Sequence, residues 1–112
     1  MIHWKPLTSS LELQELIRDS YYSKVLIFKH STRCSVSTIA KMRLEEKWHE
    51  LLSDNPTIYL LDVIGNRDLS RQVAQQFEVY HESPQILLVK NGESIHDASH
   101  FDITVEELKE VF

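Results

Sequence analysis

One side chain in this chain of 112 residues can act as a thiol nucleophile: Cys34, set in Ser31-Thr32-Arg33-Cys34-Ser35-Val36-Ser37. An apolar run, Val25–Phe28, leads towards it, and a long helical pattern follows it. A thiol at a strand-to-helix junction meets the amide dipoles of a helix N-terminus, which favour the reactive thiolate. The chain has no second cysteine, so any disulfide made by Cys34 joins it to another molecule. In thiol exchange, a larger thiolate fraction is offset by weaker nucleophilicity, so a low pKa helps a sulfur chiefly as a leaving group. A protein that takes up a small thiol and hands it on uses that second property. The competing reading is a buried, inert cysteine that packs as a small hydrophobe.

Other residues near this position carry two readings each. Ser37 follows Cys34 by three residues and shares a helix face with it. Its hydroxyl either donates to the thiolate or satisfies backbone groups at the helix start; for Ser35 the capping role is favoured. Arg33 is the cation nearest the thiol in sequence and is either a carboxylate fork or a solvated surface residue. His30 and His81 titrate near neutral pH and could shuttle a proton. Ser83-Pro84 precedes an apolar run, where proline is tolerated only at the start of a strand. His96 and His100 are four apart, a metal-ligand spacing on a helix. On or just past a strand that spacing spans about 13 Å, so no metal site is expected. Asp62 reads as a hydrogen-bonded strand end, and Tyr21, Tyr22, Trp4 and Trp48 as core or rim aromatics.

The elements that position these residues follow from local pattern. Ile2–Lys5 reads as an edge strand ended by Pro6. Ser9 with Glu12 forms a capping box that opens a helix burying Leu13, Leu16 and Ile17. Val25–Phe28 reads as a strand covered on both faces. The next helix should run from Cys34 or Ser35 to Leu52, with Val36, Ala40, Leu44, Trp48, Leu51 and Leu52 as its apolar stripe. Asn55-Pro56 marks a turn, and Thr57–Val63 a second buried strand. Asn66 caps a helix that buries Leu69, Val73 and Phe77. Gln85–Lys90 and Glu93–Ala98 are strands joined by Asn91-Gly92, a strong hairpin signal. Thr104 and Glu107 open a last helix that buries Val105, Leu108 and Phe112. The order β-α-β-α-β-α-β-β-α predicts an α/β fold, a central mixed sheet flanked by helices on both faces.

Bulk properties narrow the function classes. The length suits a single domain over residues 1–112 that buries its own core. Composition is that of a globular protein, 42% apolar and 26% charged, and the formal charge of -5 disfavours nucleic acid as a partner. No apolar run reaches bilayer-crossing length, so no membrane role is expected. Met1–Pro6 lacks the regions of a signal peptide, and a lone thiol suits a reducing cytoplasm, the expected location.

The element order, with a cysteine at the first strand-to-helix junction of the buried sheet, resembles the thioredoxin fold. Cys34-Ser35-Val36-Ser37 resembles its Cys-x-x-Cys with serine in the second place. Residues Phe77 to Gln85, containing Ser83-Pro84, resemble its segment leading to a cis-proline, and Lys90-Asn91-Gly92-Glu93 resembles its final hairpin. The closest resemblance is to the monothiol bacilliredoxins of the YtxJ/BrxC type, through a Trp-containing opening and Thr-x-Cys-x-x-Ser, here Thr32 to Ser37. Ser35 departs from the proline more usual in that place, where proline would fix the first helical turn.

The resemblance implies removal of bacillithiol from proteins that carry it as a mixed disulfide, with Cys34 and Ser37 as the catalytic pair. It implies a cis bond at Pro84, packed beside the thiol, and main chain at Ser83 pairing with the incoming group. Thr32, Arg33, Ser83 and Pro84 would then bind substrate, with Arg33 facing the malate group of bacillithiol. No bound cofactor is implied; bacillithiol is a co-substrate. The implied partners are bacillithiol-modified client proteins and an external thiol or reductase that resolves the enzyme. Two other classes compete: a redox sensor or adaptor whose cysteine is capped without turnover, and a hydrolase using Cys34 with His81, for which no oxyanion hole is evident.

Overall fold

Apolar strands and amphipathic helices sort into three layers, with helices on either side of a five-stranded mixed sheet. The computed structural model describes residues 2–54 and 56–112. In chain order the elements are β1 (Trp4–Pro6), α1 (Ser10–Asp19), β2 (Val25–His30), α2 (Ser35–Lys47), a 3-10 segment (Trp48–Asp54), β3 (Thr57–Asp62), α3 (Arg67–Phe77), β4 (Gln85–Lys90), β5 (Glu93–Ser99), a 3-10 turn (His100–Asp102) and α4 (Val105–Val111). The strand order is β1-β3-β2-β4-β5. β2 lies at the centre, parallel to β3 and antiparallel to β4.

Each face of β2 builds one half of the core. Leu26 and Phe28 join Leu44, Trp48, Leu51, Ile86 and Leu108 on the side covered by α2 and α4. Val25 and Ile27 join Leu13, Leu16, Leu69, Val73 and Leu87 on the side covered by α1 and α3. Both faces being covered explains why the strand reads as a continuous apolar run instead of an alternating one.

Two of the expected caps close as written: Ser9 Oγ accepts the Glu12 amide at 3.1 Å, and Thr104 Oγ1 accepts the Glu107 amide at 3.1 Å. Asn66 stands at the head of α3 but makes no side-chain capping bond, its side-chain amide donating instead to the Asp62 carbonyl. The hairpin turns on Asn91 at φ 53° and Gly92 at φ 78°. Buried Ser20 holds that turn against the end of α1, its carbonyl accepting the Asn91 amide and its hydroxyl the Gly92 amide, both at 2.9 Å.

Some boundaries differ from expectation. β1 lies at Trp4–Pro6 instead of Ile2–Lys5. It is an edge strand paired only with β3, and there Pro6 needs no ladder amide. β2 continues two residues beyond Phe28, through Lys29 and His30, and both are buried. The second helix keeps α-pitch only to Lys47, then tightens to 3-10 pitch. Three residues per turn bring Leu51 under Trp48, and both reach the core. β3 ends at Asp62, one residue short of Val63. The turn expected at Asn55 and the side chain of Leu52 lie outside the described residues. Among the described residues, no helix is long and apolar enough to cross a membrane.

Candidate active site

Cys34 is the N-cap of α2, with extended backbone at φ -113° and ψ 119°. The chain leaves β2 at His30 and turns through residues 31–33; the Cys34 amide donates to the Ser31 carbonyl at 3.2 Å. α2 then begins at Ser35, so Ser35 is the first helical residue and does not cap. Sulfur is a poor cap, and Cys34 makes no side-chain capping bond. The free amides of the first turn therefore stay available around the thiol. Cys34 is free and half-buried, with its backbone held at both its amide and its carbonyl. Its carbonyl accepts the Thr38 amide at 3.1 Å, which fixes the first turn of α2.

Ser37 is fully buried and faces the end of β2. Its hydroxyl accepts the Ser31 amide at 3.0 Å and is hydrogen-bonded to His30 Nδ1 at 2.6 Å. Of the two roles open to Ser37, the structure places it in the satisfying one, and no bond from it to Cys34 occurs among the described residues. His30 stacks on Phe28, with ring centroids 5.7 Å apart, and Phe28 in turn contacts Trp4 at 5.5 Å. Burial lowers the His30 pKa below that of an ordinary imidazole. Lys41 acts in the same sense, and Asp62 and Glu45 oppose it. His30 is thus a neutral ring that locks the start of α2 onto β2.

Thr32 and Arg33 are exposed beside the thiol. The Arg33 amide donates to Ser31 Oγ at 3.3 Å, and its guanidinium makes no ion pair among the described residues. The Ser83–Pro84 peptide bond is cis. Pro84 is buried, its carbonyl accepts the His100 amide at 3.1 Å, and Ser83 Oγ is buried without a hydrogen-bond partner.

The segment before Pro84 is held from beneath by residues that local sequence reading missed. Lys29, fully buried, donates from Nζ to the Ser70 carbonyl at 3.1 Å and to His81 Nδ1 at 3.0 Å. Gln85, paired with Lys29 across β2 and β4, donates to the Tyr80 carbonyl at 2.9 Å. An ammonium group can only donate, so Nδ1 of His81 is an acceptor and the ring is neutral. Burial, and then the charge of Lys29, lower the His81 pKa, while Glu82 opposes them. Burial also pushes the Lys29 pKa down to about 8. The signal for Lys29 lay in strand periodicity: β2 alternates, and a lysine one place beyond Phe28 falls on the face of Val25 and Ile27.

The remaining candidates fall elsewhere. Asp62 ends β3 with its carboxylate accepting the Ile64 amide at 3.1 Å, while its carbonyl accepts the Asn66 side chain at 3.0 Å. His96 lies 3.4 Å from Glu107 and His100 lies 3.8 Å from Glu82, so the two rings face different acids. No group of three or more potential metal ligands occurs among the described residues. Trp48 is in the core and Trp4 packs against it, whereas Tyr21 and Tyr22 are exposed.

Comparison with known proteins agrees with this geometry. A solved structure described as a candidate oxidoreductase with a thioredoxin fold is 31% identical, with a TM-score of 0.81, covering 95% of this chain and 90% of that one. The thioredoxin of Malassezia sympodialis superposes with a TM-score of 0.76 at 15% identity, over 99% of this chain and 89% of its own. Fasciola hepatica thioredoxin gives 0.70 at 17%, over 96% and 94%. These likenesses establish the thioredoxin fold. The family profile of monothiol bacilliredoxin BrxC matches residues 5–108, and the chain belongs to that family of thioredoxin-fold oxidoreductases.

Proposed function

We propose that the chain removes bacillithiol from proteins that carry it as a mixed disulfide, with Cys34 as its only nucleophile. The observation that carries this reading is a sole cysteine, free and half-buried, at the uncapped N-terminus of α2. In the first step Cys34 Sγ attacks the bacillithiol sulfur of the client disulfide. The new bond joins Cys34 to bacillithiol, and the client leaves as a thiolate. In the second step an external thiolate attacks the same sulfur, forms its own disulfide with bacillithiol, and releases Cys34 as a thiolate. Each step breaks one disulfide and makes one, so no net electrons are gained or lost across the pair. The chain needs no bound cofactor for this, and resolution falls to a second thiol or a reductase, since Ser37 has no sulfur to offer.

Thr32 and Arg33 would meet the substrate from the exposed side, with the main chain at Ser83 and the ring of Pro84 meeting it from the other. Ser37 acts on the thiol through position: it ties the start of α2 to His30 and so fixes where Cys34 stands. A reducing, cytoplasmic setting suits this chemistry. The test is turnover. A client carrying bacillithiol is incubated with a small fraction of this protein and excess bacillithiol, and free client is followed by intact mass. Many clients released per protein molecule is the expected result. Release that stops after one equivalent would instead identify a redox sensor capped by a small thiol.

A further inference from the structure

A pocket of about 450 Å3 opens between α3 and the segment before Pro84, lined by Val63, Ile64, Arg67, Ser70, Arg71 and His81. Its polar lining is basic. Arg67 has no ion-pair partner among the described residues, and Arg71 is paired with Asp68 on its exposed side. Behind the wall stands the Lys29 ammonium, bonded to Ser70 and His81, two of the residues that form the wall. Lys29 has no carboxylate partner among the described residues; both of its acceptors are neutral, and one donor hydrogen is left over. A buried charge without a counter-ion is costly, and it creates a field that little solvent screens. Ser70 adds a second sign of an unfilled site: it is 3% exposed, lines the pocket, and its Oγ has no hydrogen-bond partner. A larger neighbouring groove of about 600 Å3 shares Arg67 and Arg71 but contains Asp68 and no buried cation. The smaller pocket is therefore the one with uncompensated positive charge.

We propose that this pocket binds a carboxylate- or phosphate-bearing anion, held by Arg67, Arg71 and Ser70 against the field of Lys29. Arginine forks match the paired oxygens of either group. The anion is either free or the charged end of the small-thiol co-substrate; only the second source rests on the exchange function proposed above. The two sites share β2, whose last two residues serve one each from opposite faces of the sheet: Lys29 lies behind the pocket, and His30 holds the helix that carries Cys34.

The test titrates L-malate and, separately, inorganic phosphate into the full chain at constant ionic strength, following backbone amide shifts by NMR. The expected result is saturable shifts centred on residues 63–71 and 81. Arg67→Ala and Arg71→Ala should each weaken binding by about tenfold, as loss of a charge-assisted pair requires, and Arg18→Ala, on the exposed face of α1, should leave it unchanged. Shifts that do not saturate, or that centre on Arg33, overturn the proposal. A kinetic arm then separates the sources. If the small thiol uses the pocket, Arg67→Ala raises KM for bacillithiol with kcat unchanged; if the anion is free, KM stays although the same variant binds malate about tenfold more weakly. Because the NMR arm needs no turnover, a protein that binds anions but fails to release clients disproves the exchange function and leaves the pocket standing.

Discussion

Replacing Lys29 with methionine removes the one charge that the core encloses among the described residues, and the consequence can be worked out in sign and size. The side chain is fully buried, and burial lowers its pKa from 10.5 to about 8. In the unfolded chain the same lysine keeps its ordinary affinity for protons. Between pH 8 and 10.5 the unfolded state therefore binds more protons than the folded one, and wild-type stability rises with pH across that window. Below pH 8 both states are charged, and the folded state carries the full desolvation cost. At about 1.36 kcal/mol per pKa unit, the rise amounts to roughly 3 kcal/mol. Lys29→Met has no such group. It does lose the bonds to the Ser70 carbonyl, which lies within α3 and keeps its helical donor, and to His81 Nδ1, which is on an exposed ring open to water, and that loss is nearly independent of pH above neutrality.

The assay is urea denaturation of wild type and variant at pH values from 7 to 10.5, reading the difference in unfolding free energy at each pH. Subtraction cancels the contribution of every group that the substitution leaves untouched. The expected difference drifts in favour of wild type by about 3 kcal/mol as the pH rises. A difference that stays constant to within about 0.5 kcal/mol would mean that Lys29 folds with an unperturbed affinity for protons. The reasoning about an uncompensated buried ammonium would then be wrong.

Other expectations follow from the same contacts. Cys34→Ser leaves no thiol, so release of bacillithiol from a modified client should fall to the uncatalysed background; exchange above that background would show another group doing the chemistry. Ser37→Ala strands the Ser31 amide and His30 Nδ1 in a buried place and should cost about 1–3 kcal/mol by denaturation. A loss under about 0.5 kcal/mol would mean that the tie between β2 and α2 contributes little. His30 is neutral in the fold because burial lowers its pKa, whereas the unfolded imidazole takes up a proton near pH 6.5. Stability should therefore fall as the pH drops through about 6.5, and His30→Gln should show a shallower fall; equal slopes in the two proteins would remove His30 as the cause.

How much of this was legible in the residues depends on the range of the signal. The two capping boxes, the Asn91-Gly92 turn and the apolar run of β2 are local patterns, and each corresponds to an element of the structure. The thiol at the head of α2 was legible for the same reason, since strand, turn and helix signals all meet at Cys34. What escaped were arrangements that need the third dimension. Lys29 looks like the polar end of an apolar run because, in most chains, a lysine ends burial. Here the loop before Pro84 and the first turn of α3 fold over it, 52 and 41 residues away in sequence. Arg67 and Arg71 lie four apart on α3, an ordinary exposed spacing. Only the position of His81 across from them makes that face a pocket. For Ser37 local spacing left two roles open, a bond to the thiolate or satisfaction of backbone groups; its hydroxyl accepts the Ser31 amide and also meets His30, a partner across the strand-to-helix junction that spacing alone does not reveal.

The two polar residues that end β2 explain why the site can be rigid without a second cysteine. Successive side chains of a strand point to opposite faces, so Lys29 and His30 reach the two helical layers from adjacent backbone positions. His30 fixes the start of α2 and with it the backbone of Cys34. Lys29 fixes His81 and, with Gln85 fixing Tyr80, the segment that leads into Pro84. In a dithiol member of the fold, an internal disulfide can close across the first turn of the helix. This chain cannot do that, and when Cys34 carries a small thiol nothing in the chain displaces it. On the proposed function a mixed disulfide would then persist until an outside thiol arrives, and the site around it would have to keep its shape throughout. Buried hydrogen bonds at the end of the central strand serve that requirement, His30 to Ser37 on one face and Lys29 to Ser70 on the other, because they tie both helices to the strand from within the core.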